Sequence, residues 1–155
     1  MSARPSDCVQ RLRPMSVDDL DAVMEIERRA YEYPWTPGIF RDCLRVGYCC
    51  WCCEGAEGIQ GYGVMSVAAG ESHILNLTVD PGLQRRGIGS RLMRHFMQLA
   101  RRHGADTVML EVRPSNRAAI ALYQKLGFNE MGVRRNYYPA AEGREDALLL
   151  GKNLD

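Results

Sequence analysis

No run of this chain is apolar over the roughly 18 residues that a bilayer-spanning helix needs. The start, Met1 to Asp7, is short and polar and lacks the apolar stretch of a signal peptide. Neither sign of charge prevails: 20 Lys and Arg stand against 19 Asp and Glu, a net charge of +1. No strong global field therefore draws nucleic acid or a membrane surface. Repeats and low-complexity stretches are missing too. The expectation is a cytoplasmic globular protein. Its 155 residues suffice for one domain, 1–155, that buries roughly 70% of its unfolded surface. Residues 1–7 are expected to be flexible. The balance of 46% hydrophobic and 25% charged residues is that of an ordinary soluble domain.

The six cysteines also lack something. Cys50-x-x-Cys53 matches a redox or zinc half-site, but no second Cys pair and no His-x-x-x-His completes it. Read as a strand, Tyr48 to Cys53 turns Cys50 and Cys52 to one face and Cys49, Trp51 and Cys53 to the other. Free cysteine is among the most buried residue types, so these are expected to be core residues, reduced in the cytosol, with no metal.

What is present is a regular succession of elements. Cys8 to Arg13 reads as a first strand, ended by Pro14. Ser16 starts a helix in which Leu20, Val23, Met24 and Ile26 to Ala30 keep a helical period. Tyr33-Pro34-Trp35-Thr36-Pro37 breaks it, and Thr36 as N-cap with Pro37 at N1 opens a short helix to about Val46. Tyr48 to Cys53, Gly58 to Ala69 and Glu71 to Val79 read as a meander of strands. Gly87 to His103 is the best helix. Ile88, Leu92, Phe96, Leu99 and Ala100 line one face, and Arg91, Arg94, Gln98, Arg101 and Arg102 mostly line the other. Asp106 to Val112 is a strand, Ser115 or Asn116 caps a helix to Lys125, and Phe128 to Tyr138 and Asp146 to Leu154 close the chain as strands. This predicts an α/β (mixed α+β) domain, a central twisted mixed sheet of about seven strands flanked by about four helices. Glu71–Val79 and Asp106–Val112 flank the long helix and are expected to be parallel neighbours by a right-handed crossover.

Between strand and long helix lies Gln84-Arg85-Arg86-Gly87-Ile88-Gly89. A glycine-rich turn that opens a helix is an anion site, because its N–H groups have no intrahelical partners and the helix dipole adds positive charge. Arg85 and Arg86 add two permanent charges. A pyrophosphate-bearing cofactor fits best. A Walker loop needs a Lys that does not follow Gly89. A dinucleotide fingerprint fits Gly87-x-Gly89, with Glu111 at a suitable distance, but Leu92 replaces the third glycine that permits close helix–strand packing. The third reading is Gln/Arg-x-x-Gly-x-Gly/Ala after a strand ending in Val-Asp-Pro.

That pattern resembles the acetyl-coenzyme A loop of the GNAT N-acetyltransferases, and the order of elements resembles their fold. Leu110 to Asn116, Ala118 to Tyr123 and Leu126-Gly127-Phe128 resemble the family's strand-to-helix segment. Arg29-Ala30, Pro34-Trp35-Thr36, Arg134 to Pro139 and Gly143 to Ala147 are similar to the bacterial ribosomal-protein-alanine N-acetyltransferase (RimI) subfamily. The resemblance runs from about Met15 onward, and the Cys-rich strand departs from it. It implies an enzyme that moves acetyl from acetyl-CoA to a protein N-terminus, that of the alanine-starting small-subunit ribosomal protein eighteen, by direct attack in a ternary complex. It implies Glu111 as base and Tyr123 as acid. Leu77, Thr78, Val79, Arg85, Arg86, Gly87, Ile88, Gly89, Ser90, Asn116 and Tyr123 would bind the cofactor. Tyr33, Trp35, Asn136, Tyr137 and Tyr138 are candidates for the acceptor, with Glu32, Glu145 and Asp146 favouring a basic peptide. The expected state is a monomer with no metal, nucleic-acid partner or membrane.

The chemistry agrees with these residue types. An α-amine titrates at about 7.7–8.0, so selecting its neutral form at pH 7 costs only about 1.2 kcal/mol, against roughly 4.6 kcal/mol for lysine at about 10.4. A single carboxylate, expected to be raised somewhat by burial, matches the α-amine better. A thiol at about 8.5 against Tyr at about 10 makes proton transfer from Tyr123 uphill by roughly 2 kcal/mol, so Tyr123 is expected to act mainly through a hydrogen bond. Three rivals stay open: an acetyltransferase for lysine or a small amine, a non-catalytic acyl-CoA-binding module, and RNA binding through the arginine face of the long helix.

Overall fold

Pro14 does not end the first strand but lies in it. The computed structural model describes residues 10–154, and β1 runs Arg11–Pro14. β1 is an edge strand, where a proline's missing N–H is tolerated. The readings of residues 1–7 and of Cys8 fall outside the described residues. Among the described residues, seven strands form one mixed sheet in the order β1-β2-β3-β4-β5-β7-β6. They are β2 Cys49–Gly55, β3 Gly58–Ala68, β4 Glu71–Val79, β5 Thr107–Val112, β6 Asn129–Pro139 and β7 Arg144–Asn153. The helices are α1 Leu20–Ala30, α2 Pro37–Arg45, α3 Ile88–Arg102 and α4 Arg117–Lys125. Strand and helix counts agree with those expected. No helix among the described residues is long and apolar enough to cross a membrane. The described chain falls into two compact units: residues up to Met65 with Asn76–His95, and Ser66–Leu75 with Phe96 onward.

In the first unit, Ser16 caps a single 3-10 turn, Val17–Asp19, before α1 begins. The Asp19 carboxylate accepts from Ser16 N at 2.8 Å and from both Arg13 Nη atoms at 2.9 and 2.8 Å, which tightens that first turn. These partners hold the Asp19 carboxyl below its usual range, the Arg13 hydrogen bond being the largest cause. Thr36 Oγ1 accepts from Ile39 N at 3.2 Å with Pro37 at the first helical position, the cap read from the sequence. α1 and α2 bury Leu20, Val23, Met24, Ile26, Phe40 and Cys43 against Cys50, Cys52, Tyr62 and Val64 of the sheet. Phe40 meets Tyr62 edge-on at 5.9 Å.

The alternation along the cysteine strand is the one expected, with Cys49 itself only half-buried. Cys50 and Cys52 point into this core, and Trp51 on the opposite face meets the His95 ring at 4.1 Å. Burial pushes the Cys50 and Cys52 thiols up to about 12. That keeps them protonated and unreactive at neutral pH.

One buried carboxylate was not anticipated. Glu27 is 1% exposed. Its Oε1 accepts from Tyr62 Oη at 2.6 Å and Asn76 Nδ2 at 3.3 Å, and its Oε2 from Trp35 N at 2.9 Å. Asn76 Oδ1 accepts from Thr78 Oγ1 at 2.6 Å, which meets Tyr31 Oη at 2.7 Å. The network ties α1 and the loop before α2 to the end of β4. Glu27→Ala removes the shared acceptor of three donors, Trp35 N, Tyr62 Oη and Asn76 Nδ2. It is expected to cost about 3 kcal/mol, one unsatisfied buried group after another. That corresponds to a fall in Tm of roughly 6–12 °C. A thermal melt that moves by less than a degree or two would show that the network does not stabilise the fold.

In the second unit, β4 and β5 are parallel, as expected, with register Glu71↔Thr107 to Ile74↔Leu110. Ser72 Oγ adds a bond to Thr107 O at 2.7 Å. β5 is antiparallel to β7 along its whole length, Thr107↔Asn153 to Val112↔Leu148. β6 pairs with β7, and its register shifts between Arg134 and Tyr138. Arg135, Asn136 and Tyr137 bulge out there opposite Asp146 alone.

Candidate active site

The first unit holds the loop and the strand before it. Leu77, Thr78 and Val79 end β4, beyond the last residue of its parallel register with β5. The Thr78 hydroxyl is taken by Tyr31 and Asn76, so what this segment offers a ligand is backbone. Asp80 anchors the turn that follows. Its carboxylate accepts from Gly82 N at 2.9 Å and from Arg29 through two bonds of 3.0 and 2.9 Å. Arg85 and Gly87 both take positive φ, 66° and 79°. A non-glycine residue there is uncommon and costs about 1 kcal/mol or more, which marks the turn as shaped for a purpose. Backbone turns of this hand gather successive N–H groups into an anion-binding concavity. Arg85 and Arg86 are exposed, Ile88 and Gly89 are buried, and Ser90 is half-buried at the start of α3. Donors, cations and helix start in one turn fit a pyrophosphate.

The close packing that a third glycine supplies in a dinucleotide fold comes here from another strand. A Cβ on Gly61 of β3 would stand 2.9 Å from Thr78 O, 3.1 Å from Ile88 Cγ2 and 3.2 Å from Leu92 Cδ1. Gly61 thus lets β3 lie against both the β4 end and the first turns of α3. Nothing local in the sequence marks this glycine.

The second unit holds the acid–base candidates. Glu111 alternates with buried Val108, Leu110 and Val112 along β5, and its side chain is 7% exposed. Its Oε2 lies 2.5 Å from Nε2 of His73, a half-exposed residue of β4. Its Oε1 lies 3.1 Å from Arg134 Nε on β6. The expected rise in its pKa does not occur. Burial pushes the carboxyl up, but the His73 hydrogen bond and the charges of His73 and Arg134 together outweigh it and leave it below its ordinary value. Burial of Glu111 follows from the strand alternation, whereas its partners His73 and Arg134 come from two other strands.

The bulge beside Arg134 is held from both sides. Asn136 takes a φ of 54°, its N donates to Asp146 Oδ1 at 2.9 Å, and its carbonyl accepts from Arg144 Nε at 2.7 Å. Arg144 also donates to Tyr137 O at 2.9 Å. Tyr137 is exposed, with Arg134 over its ring at 5.8 Å. Burial of its hydroxyl, then the Glu111 charge, raise its pKa. Tyr138 meets Tyr137 edge-on at 4.9 Å and lies under Arg113 at 4.4 Å. Glu145 and Asp146, expected to attract a basic peptide, are used internally. Glu145 pairs with Arg113 at 3.0 Å, and Asp146 holds the bulge.

The remaining candidates lie as follows. Asn116 caps α4, its Oδ1 accepting from Ala119 N at 3.2 Å, which leaves its NH2 group for another partner. Tyr123 is buried on α4 with its ring 5.8 Å from Phe128. Tyr33 is exposed in the first unit. Trp35 is half-buried, its ring 5.1 Å from Phe40, so much of it is committed to the core. The structure therefore gathers Glu111, His73, Arg134 and Tyr137 into one cluster within the second unit. Leu77 to Val79 and Arg85 to Ser90 belong to the first.

Known proteins resemble this chain in sequence and fold. A model of the Acetyltransferase (GNAT) family matches residues 20–128. The chain is 40% identical over 136 residues to a [Ribosomal protein bS18]-alanine N-acetyltransferase of Salmonella typhimurium, covering 88% of this chain and 92% of that one. The crystal structure of the ribosomal-protein-S18-alanine N-acetyltransferase from Escherichia coli superposes with a TM-score of 0.86 at 36% identity, over 94% of each chain. That of Ard1 from Thermoplasma volcanium gives 0.86 at 28% identity, over 95% of this chain and 99% of that one.

Proposed function

Because this chain belongs to the GNAT family and is an acetyl-CoA-dependent N-acetyltransferase, we propose that its acceptor is a protein N-terminal α-amine. The N-terminal alanine of ribosomal protein bS18, the acceptor for which its relatives are named, is the first choice. The observation that carries the α-amine reading is Glu111, kept as a carboxylate by His73 and Arg134. A carboxylate below its ordinary range is a weak base. Such a base does not strip an ammonium, so the acceptor must come neutral, which at pH 7 costs a lysine at about 10.4 roughly 4.6 kcal/mol. An α-amine at about 7.7–8.0 presents roughly 10–15% neutral nucleophile at pH 7, and the base is needed only after attack, when the nitrogen is far more acidic.

In this reading the neutral amine attacks the thioester carbonyl in a ternary complex. Glu111 takes the proton from nitrogen, directly or through water, and Tyr123 hydrogen-bonds the departing sulfur. Arg85 to Ser90 hold the pyrophosphate, the backbone of Leu77 to Val79 takes the amide-rich arm, and the free half of Asn116 contacts the same donor. Tyr33, Trp35 and the bulge of Asn136, Tyr137 and Tyr138 bind the acceptor. The bulge is braced by Arg144 and Asp146, which suits recognition of a short backbone segment.

Peptides beginning with Ala, Ser and Met, each with a blocked counterpart, test this by mass spectrometry. The expected result is one acetyl group on the free Ala terminus and none on the blocked one. Acetylation confined to lysine side chains would sink the proposal.

A further inference from the structure

Glu111 is almost sealed from solvent, at 7% exposure, and a base that turns over must lose the proton it takes. The neighbour that has a route out is His73, whose side chain is 27% exposed and whose Nε2 is 2.5 Å from Glu111 Oε2. The parallel register sets His73 beside Met109, two residues before Glu111 and on the same alternation of the sheet. Arg134 occupies Oε1, so Oε2 is the oxygen that faces a group able to accept a proton. The charged and titratable groups around the pair are Arg134 and Tyr137, both from β6.

We propose that His73 is the proton-relay partner of Glu111, carrying the proton of the acceptor amine from the carboxylate to solvent. The inference rests on the acetyl-transfer reading above. The C–N bond forms as nitrogen attacks the thioester carbonyl, and the C–S bond breaks with its electron pair going to sulfur. The neutral amine has already left one proton in solvent, so the nitrogen loses a single proton after attack, and the thiolate that departs takes up its own proton from water. The departing proton moves from nitrogen to Glu111 and then across the 2.5 Å contact to the His73 imidazole at Nε2. The imidazolium releases its Nδ1 proton to water, and proton exchange with solvent returns the ring to its starting tautomer before the next turnover. Imidazole is the side chain whose titration ordinarily lies near neutrality, so it gives up that proton readily where the enzyme works. Arg134, permanently charged, cannot take this role and serves only to hold the carboxylate.

The test is His73→Gln, which keeps a polar partner for Glu111 but cannot take one proton and release another. With an Ala-starting peptide, kcat at neutral pH is expected to fall about a hundredfold, the low end for a positioned proton-transfer group. KM for acetyl-CoA is expected to stay within about twofold, because the group acts in the chemical step. The pH–rate profile should lose a limb near neutrality. His73→Ala should regain rate when imidazole is added. A native kcat and pH profile in His73→Gln, or no rescue in His73→Ala, overturns the relay. Glu111→Gln in the same assay separates the two readings. If it stays active, the base assignment itself fails, whereas if it is inactive while His73→Gln is native, only the relay fails. Melting curves and acetyl-CoA binding check that each variant is folded, and His73→Asn replaces His73→Gln if that variant melts.

Discussion

Glu111→Gln is expected to lower kcat by about 10²–10³-fold with acetyl-CoA affinity retained, in the range measured for removal of a general base. The substitution keeps the volume and leaves a polar group facing both His73 Nε2 and Arg134 Nε. The loss is therefore one of basicity, and steady-state kinetics beside a thermal melt will show whether it is. A variant that keeps more than about a tenth of the rate would remove Glu111 from the reaction. The pH behaviour follows from the direction of its shift. The folded carboxyl lies below its ordinary value, so its contribution to stability is fully present above that ordinary value. It is lost only as pH falls through the lowered one. Between pH 5 and 8 Glu111 stays ionised, and a change of rate there reports other groups, the acceptor amine first.

Tyr123→Phe is expected to lower kcat by about a hundredfold while acetyl-CoA binding changes by less than about threefold. Only the hydroxyl is removed. The ring that packs at 5.8 Å from Phe128 remains, so the fold is expected to hold. A phenol at about 10 facing a thiol at about 8.5 stabilises departing sulfur mainly as a hydrogen-bond donor, and that bond gains strength only as charge builds on sulfur. The effect therefore belongs in turnover, measured by single-turnover acetylation, and not in the dissociation constant. Equal losses in both would make Tyr123 a binding residue.

Much of the fold was legible because it is local. The caps Thr36 and Asn116 bond where their side-chain chemistry predicts. The alternation of Cys50 and Cys52 against Trp51 follows from the strand period alone. The turn at Arg85 to Gly89 was marked by its own residues. What was missed was non-local. His73 was read only as part of a strand, and Arg134 only as part of a motif, yet they set the charge state of Glu111. Glu27 sat unremarked in a helical period and proved to be the hub of a buried network. Gly61 looked like any strand glycine until Thr78 and Leu92 were seen against it.

By itself, then, the sequence determined the elements, their caps, the alternation of core and surface, and the glycine-rich turn that opens α3, since each depends on residues within a few positions of one another. The tertiary structure alone decided which groups meet. His73 and Glu111 are 38 residues apart and touch only because β4 and β5 pair parallel in one register. A shift of that register by one residue would turn one of them to the opposite face. The same holds for the basicity of Glu111. Burial and ion pairing push it in opposite directions, and which prevails depends on distances that no short stretch of chain contains.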